Sequence, residues 1–263
     1  MIDIHSHILP GVDDGAAAME NAIVMAQAAA KEGITTIIAT PHHQNGTYEN
    51  RRPAVLSLAA ELNDELKRRG IDLTVLPGQE VRIHGDLLDG LARGEVMTLA
   101  DTPYILIEFP SDHVPKYAEQ LLFDAQVKGL TPVIAHPERN SEIIEKPDRL
   151  YELVKRGALA QLTASSITGH FGKKIKAFSF QLMEANLAHF IASDAHNTKT
   201  RPFRLREAYE VIRKEYGTDM VYYFQENAEL LVRGQAVFRD EPQRVKRKSS
   251  LASFRNSWQY DIK

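Results

Sequence analysis

The chain has 263 residues, 43% of them hydrophobic and 25% charged, with a formal net charge of −3. That size suits one large domain, and so weak an acidic balance supplies no basic field of the kind duplex nucleic acid needs, so nucleic acid is not an expected partner. The chain contains no cysteine, which excludes disulfides, thiolate zinc sites and a phosphocysteine intermediate and leaves oxygen, nitrogen and metal for any chemistry.

No run of about 18 apolar residues is present, so a membrane-spanning helix is excluded. The opening Met1-Ile2-Asp3-Ile4-His5 lacks the basic and apolar regions of a signal peptide, and a cytoplasmic location is expected. Taken in chain order, short apolar runs predict seven strands, at residues 2–4, 34–39, 73–76, 104–107, 131–135, 158–162 and 189–192. Several follow the same signal: a basic residue or two, a glycine, then the apolar run. Lys31-Glu32-Gly33, Arg68-Arg69-Gly70, Val127-Lys128-Gly129 and Lys155-Arg156-Gly157 all read as helix stops. The segments before them carry helical periodicity, as in Val55, Leu58, Leu62 and Leu66. Strands apolar on both faces, alternating with helices, imply a parallel α/β fold, with a closed barrel and an open doubly wound sheet as the two forms.

The strand ends decide between these forms. In order they deliver His5-Ser6-His7, Thr40-Pro41-His42-His43, Gly78-Gln79-Glu80, Glu108, His136-Pro137-Glu138-Arg139 and, at the seventh strand, Ser193-Asp194-Ala195-His196. In a closed barrel the C-terminal strand ends converge on one mouth, whereas an open sheet would spread them along an edge. Residues two apart on a strand point to one side, so His5 and His7 can share an ion, as can Asp194 and His196. Imidazole and carboxylate together suit manganese, iron or zinc. The set exceeds what one ion accepts, so two or three ions bridged by Glu80 or Asp194 are expected. His43 is left open, and His84, His113, His170 and His189 are read as ordinary surface or core histidines.

These motifs resemble the polymerase and histidinol phosphatase (PHP) superfamily. More narrowly, Ile4-His5-Ser6-His7-Ile8-Leu9-Pro10-Gly11-Val12-Asp13-Asp14-Gly15, with His136-Pro137-Glu138-Arg139-Asn140, resembles the bacterial protein-tyrosine phosphatases encoded with capsule and exopolysaccharide genes. The resemblance covers residues 1–238. It implies a distorted TIM-like (β/α)7 barrel over residues 1–240 holding up to three divalent ions, manganese above all, with iron or zinc as alternatives. One ion would take His5, His7, Glu80 and Asp194, and a second Glu80, Glu108 and His136. The third would take His42 and His196 with the Asp13-Asp14 pair, Asp14 being favoured. A metal-bridging hydroxide would attack phosphorus, Arg139 and Arg201 would hold the phosphoryl oxygens, and Asp14 or His42 would assist the leaving group.

The implied partner is the phosphotyrosine tail of a bacterial tyrosine kinase that controls polysaccharide export. A small-molecule phosphatase acting on histidinol phosphate is the nearest alternative. Metal-dependent amidohydrolases rank below it, since they commonly want a bridging lysine at the fourth strand, where this chain has Glu108. A non-catalytic metal scaffold would not need Arg139 and Arg201. Residues 44–52 and the loop from Ser165 to Gly172 are the expected walls of the mouth. Residues 241–263 form a basic and aromatic tail, with Lys246-Arg247-Lys248 and Leu251, Phe254, Trp258 and Tyr260. Peripheral contact with an anionic membrane surface is its functional reading.

Overall fold

The computed structural model describes residues 1–246. Its elements run β1 (Ile2–Ser6), α1 (Met19–Glu32), β2 (Thr36–Ala39), β3 (His42–His43), α2 (Arg52–Arg68), β4 (Thr74–Pro77), β5 (Glu80–Arg82), α3 (Leu87–Ala92), β6 (Tyr104–Glu108) and α4 (Ala118–Val127). They continue with β7 (Thr131–Ala135), α5 (Ser141–Glu145), α6 (Asp148–Lys155), β8 (Leu159–Thr163), α7 (Ala164–Thr168), α8 (Lys173–Glu184), β9 (Phe190–Ala192), α9 (Leu205–Tyr216) and α10 (Thr218–Val232). The helix stops fall where the basic-glycine signals place them. Gly33, for one, adopts φ 86° and returns its N–H to the carbonyls of Ala29 and Ala30, closing α1. Among the described residues no helix is long and apolar enough to cross a membrane.

All the strand pairs are parallel, and they form two sheets, β1-β2-β4 and β3-β5-β6-β7-β8-β9. All seven expected strands are present, and the second and third each continue, past a break, into a further short strand. The second is interrupted at Thr40-Pro41 and the third at Gly78-Gln79, so His42-His43 and Glu80–Arg82 pair in the second sheet rather than simply ending strands of the first. Pro41 has no N–H to give to a ladder. At Gly78 an added Cβ would stand 2.7 Å from Ile38 Cγ2, so only glycine lets the two runs approach there. Hydrogen bonding resumes just beyond, with Glu80 N donating to Pro41 O at 3.1 Å.

The far ends of the two sheets also meet. Ser6 bridges Ala195, Asp194 N donates to His5 O at 2.8 Å, and His7 N donates to Ala195 O at 2.9 Å. The buried Asp3 carboxylate lies below this seam and accepts from the backbone N–H (2.9 Å) and hydroxyl of Ser193. Apolar burial divides into two layers. Ile4, Ile38, Leu106, Val133, Leu159 and Phe190 belong to a cluster drawn from the strands' shared face, whereas Ile37, Ile105, Ile134 and Ile191 pack outward under the helices. That alternation is the period of two expected of strands buried on both sides.

The chain continues past residue 240 along the body. Gln243 N donates to Ala185 O at 2.8 Å, and Arg244 pairs with Asp148 (2.8 Å) and Glu152 (2.7 Å) over the ring of Tyr151. Leu251, Phe254, Trp258 and Tyr260, the side chains read as interfacial, lie outside the described residues.

Between β1 and α1 the chain folds over His7. Ala16 N donates to His7 O, and a Cβ on Gly15 would overlap that carbonyl oxygen and stand 2.6 Å from His7 Cβ. Gly15→Ala should therefore displace His7 or the turn above it, lowering stability by about 1–3 kcal/mol and reducing metal content. Thermal melts with elemental analysis check this; a variant with wild-type Tm and metal content would contradict it.

Candidate metal centre

The strand ends bring His5, His7, Glu80 and Asp194 to one buried point. His5 Nε2 lies 3.3 Å from His7 Nε2, 3.4 Å from Glu80 Oε2 and 3.4 Å from Asp194 Oδ1. His7 Nε2 lies 3.4 Å from Glu80 Oε2 and 3.3 Å from Asp194 Oδ1. Charge-assisted hydrogen bonds would close such pairs to about 2.7–2.9 Å. Four ligands held ~2.0–2.1 Å from one ion at tetrahedral angles instead stand roughly 3.3–3.4 Å apart. The spacing fits coordination better than an ion-pair network. Glu80 Oε2, Asp194 Oδ1 and His196 Nε2 are moreover buried without a hydrogen-bond partner, an arrangement costly for a protein unless a cation offsets it.

Outer contacts aim the imidazoles. Gln161 Oε1 accepts from His5 Nδ1 at 2.9 Å, Asp13 Oδ2 from His7 Nδ1 at 2.7 Å, and the Asp194 carbonyl from His196 Nδ1 at 3.0 Å. Each acceptor fixes the ring proton on Nδ1 and turns the Nε2 lone pair inward. The backbone is bent to the same end. His136 and Asp194 both sit in the left-handed region, at φ 33° and 52°, which costs non-glycine residues about 1–3 kcal/mol each.

Two further groups adjoin the first: His7, Asp14, His42 and His196, and then His42, Glu80 and Glu108. Glu80 joins them, for its Oε2 is 2.9 Å from His42 Nδ1 while its Oε1 is 2.7 Å from His136 Nε2. Asp14 Oδ1 stands 3.3 Å from His196 Nε2 and 3.5 Å from His42 Nε2. Arg82 holds Glu108 Oε2 at 2.9 Å. Arg139 and Arg201 converge on a single atom, Asp194 Oδ2, at 2.6 and 2.9 Å. Above them opens a cavity of about 240 Å³. It is lined by His42, Glu80, Glu108, His136 and Asp194 of the cluster, by both arginines, and by Phe109, Pro110 and Pro137.

Charge is strongly redistributed here. Burial opposes ionising Glu80 and Asp194, but for Glu80 His5 and His42, and for Asp194 Arg139 and His5, outweigh it and hold both carboxyls well below their usual range. Burial likewise opposes protonating His7, yet Asp13, Asp194 and Glu80 keep its pKa well above the ordinary value; His5 is raised by Glu80 and Asp194 against the same opposition. His136 and His196 go the other way. Burial, helped by Arg139 and His7 respectively, pushes each down to about 4, so both imidazoles are neutral lone-pair donors at neutral pH.

Comparison with known proteins gives this site a context. Residues 1–233 match the family model described as capsular polysaccharide synthesis, CpsB/CapC. This chain belongs to the CpsB/CapC family. The tyrosine-protein phosphatase YwqE of Bacillus subtilis is 57% identical over 254 residues, 97% of this chain and 100% of the relative. The tyrosine-protein phosphatase CpsB of Streptococcus agalactiae serotype III is 32% identical over 243 residues, 90% of this chain and 100% of the relative. A solved structure described as YwqE from B. subtilis and CpsB from Streptococcus pneumoniae, unique metal-dependent tyrosine phosphatases, superposes with a TM-score of 0.92 at 58% identity, covering 94% of this chain and 100% of that one. More distant is an organophosphorus hydrolase variant of Deinococcus radiodurans, alike in fold at a TM-score of 0.51 and 15% identity, covering 88% and 92% of the two chains.

His5, His7, Asp14, His42, Glu80, Glu108, His136, Asp194 and His196 all come together at one end of the strands, with Arg139 and Arg201 beside them. Within the acidic pair Asp14 faces the cluster, whereas Asp13 lies behind His7 and also accepts from His42 N at 3.1 Å. His43 is buried but belongs to none of the ligand groups. Neither expected wall, residues 44–52 or residues 165–172, lines the cavity. Residues 165–168 form most of α7, with Ser165, Ser166 and Ile167 buried, because Glu138 Oε1 accepts from Thr163 N (2.9 Å) and the Ser166 hydroxyl (2.7 Å) and draws that turn inward. The cavity wall is built instead by residues 109–111, held where Asn140 Nδ2 donates to Pro110 O and Ser141 N to Ser111 O.

Sequence reading missed Gln161, though a polar residue inside the apolar run Leu159–Thr163 is a visible signal. It also missed Asn50, whose Nδ2 donates to His42 O at 2.8 Å and Val12 O at 3.0 Å, tying the two site loops together.

Because His5 and His7 hold protons more firmly than free imidazole, metal uptake must displace those protons. Apparent metal affinity should therefore rise with pH across the neutral range and fall as pH drops, with proton release on binding. Competition titrations at pH 6 and 8 measure this; equal affinity at both, or tighter binding at pH 6, would contradict it.

Proposed function

We propose that this chain is a metal-dependent protein-tyrosine phosphatase that removes phosphate from a bacterial tyrosine kinase controlling capsule or exopolysaccharide synthesis. The observation that carries the reading is the mixed lining of the cavity, where carboxylates, imidazoles and two arginines occur together with Phe109, Pro110 and Pro137. At about 240 Å³ it has room for one aromatic ring and little more, below the roughly 300–1,000 Å³ usual for larger ligands. The tyrosine phosphatase names of its YwqE and CpsB relatives agree with this, as does the family's description by capsular polysaccharide synthesis.

The residue roles follow from the geometry. His5, His7, Glu80 and Asp194 would hold one divalent ion, Glu80, Glu108 and His136 a second, and His42, His196 and Asp14 a third; the donor set suits manganese, iron or zinc, and the family resemblance favours manganese. His7 and His42 also stand close enough to be shared between neighbouring groups. Bound ions lower the pKa of water and withdraw charge from phosphoryl oxygens. Arg139 and Arg201, steadied by Asp194, orient the phosphoryl group through forked contacts. Phe109 and Pro110 hold the ring. Asp14, whose carboxyl His196 keeps below its ordinary range, is ionised and so suited to ligation rather than to protonating the departing phenolate.

The two sheets read as halves of one distorted seven-strand barrel: each broken strand passes from one sheet to the other, and the Ser6–Ala195 bridge joins the remaining ends. A cytoplasmic kinase domain at the membrane is the proposed partner, with the part of the 241–263 tail beyond the docked Gln243 and Arg244 as the contact to the membrane surface.

The purified protein with manganese should hydrolyse phosphotyrosine peptides from such a kinase tail, lose activity on chelation and keep it after thiol alkylation. Arg139→Ala and Arg201→Ala should each lower kcat/KM by about 10²–10³-fold without loss of metal. Fast turnover of histidinol phosphate with none of phosphotyrosine peptides would replace this reading with a small-molecule phosphatase.

A further inference from the structure

The turn between α7 and α8 touches both segments that carry the arginines. Gly169 and Gly172 take φ 87° and 95°, values suited to glycine, and between them the chain presents His170 and Phe171. The Phe171 ring lies under Arg139, whose Cζ is 5.5 Å from the ring centroid. His170 Nε2 donates to Thr200 O at 3.2 Å, next to Arg201.

Arg139 needs such support. It leaves the Pro137–Arg139 turn as a long side chain, its Nη2 donates to Asp194 Oδ2, and its Nε is buried with no hydrogen-bond partner. One bond through Nη2 fixes a point and leaves the guanidinium plane free to swing about it. An aromatic face attracts the cation from one side and sets that plane, directing the remaining N–H groups toward the cavity.

We propose that Phe171 is a positioning residue for phosphate recognition, setting the plane of the Arg139 guanidinium. This rests on the phosphatase reading above. Phe171 lies on neither a ligand-bearing strand end nor the Phe109–Pro110 wall, and it acts through Arg139 alone.

The test compares Phe171→Ala, Phe171→Leu and Phe171→Tyr in the full chain loaded with manganese. Calorimetric binding of inorganic phosphate is measured beside KM and kcat for an aryl phosphate. Phe171→Ala should weaken phosphate binding by roughly 3- to 30-fold and raise KM in the same proportion, with metal content unchanged. Phe171→Leu, which fills the space without a π face, should behave like the alanine variant, and Phe171→Tyr should restore wild-type binding. Should the alanine variant fail to fold, the leucine and tyrosine pair still decides. Wild-type phosphate affinity in Phe171→Leu would overturn the assignment. If the wild-type protein turns over no aryl phosphate at all, it is the phosphatase reading that fails; normal wild-type turnover with phosphate binding unaltered by these changes would sink only the role of Phe171.

Discussion

The Glu80 carboxylate is the contact on which the rest of the molecule depends. It is fully buried, with Oε2 facing the rings of His5, His7 and His42 and Oε1 facing His136. Burying a charge costs several kcal/mol unless something of opposite sign lies close by, and here four imidazoles from three other strand ends surround it. A bridging carboxylate needs lone pairs on its oxygens turned toward the ions. Among the described residues neither Glu80 oxygen accepts a backbone hydrogen bond, and the groups facing both are imidazoles. Asp194 is arranged differently. Its Oδ1 faces the imidazoles, while its Oδ2 is taken by the two arginines, so one carboxylate joins the imidazole cluster to both guanidinium groups.

Several irregularities of the fold serve that point. Breaks at Thr40-Pro41 and Gly78-Gln79 move His42 and Glu80 into register with each other, as the pairing of β3 with β5 records. The left-handed backbone at His136 and Asp194 turns these side chains inward just past β7 and β9. Strain of this kind persists only where surrounding structure over-determines it. The seam between β1 and residue 195, with Asp3 gripping Ser193 beneath, supplies that restraint on one side; Asn140 and Glu138 supply it on the other.

Much of this was legible in the chain because apolar runs are short and stop abruptly, and histidine or carboxylate follows six of the seven stops. Position along a strand is fixed by periodicity, so residues such as His5, His7 and Glu108 could be placed without coordinates. The strand breaks could not, since Thr40-Pro41 and Gly78-Gln79 read equally well as strand ends. Nor could the choice between Asp13 and Asp14, which depends on how one turn folds over His7. The cavity walls were misjudged for a related reason: serines and glycines between 165 and 172 look like an open loop unless the buried acceptor Glu138 is known to sit beneath them. Contacts made across long sequence separations, such as Gln161 with His5 or Phe171 with Arg139, leave only a faint mark in the sequence.

Anomalous diffraction at the metal edge, from crystals of the manganese-loaded protein, tests the central claim most directly. A Glu80-bridged cluster predicts two or three peaks with neighbours about 3.5–4 Å apart, one of them within the quartet of His5, His7, Glu80 and Asp194. A single peak, or peaks away from Glu80, would contradict it.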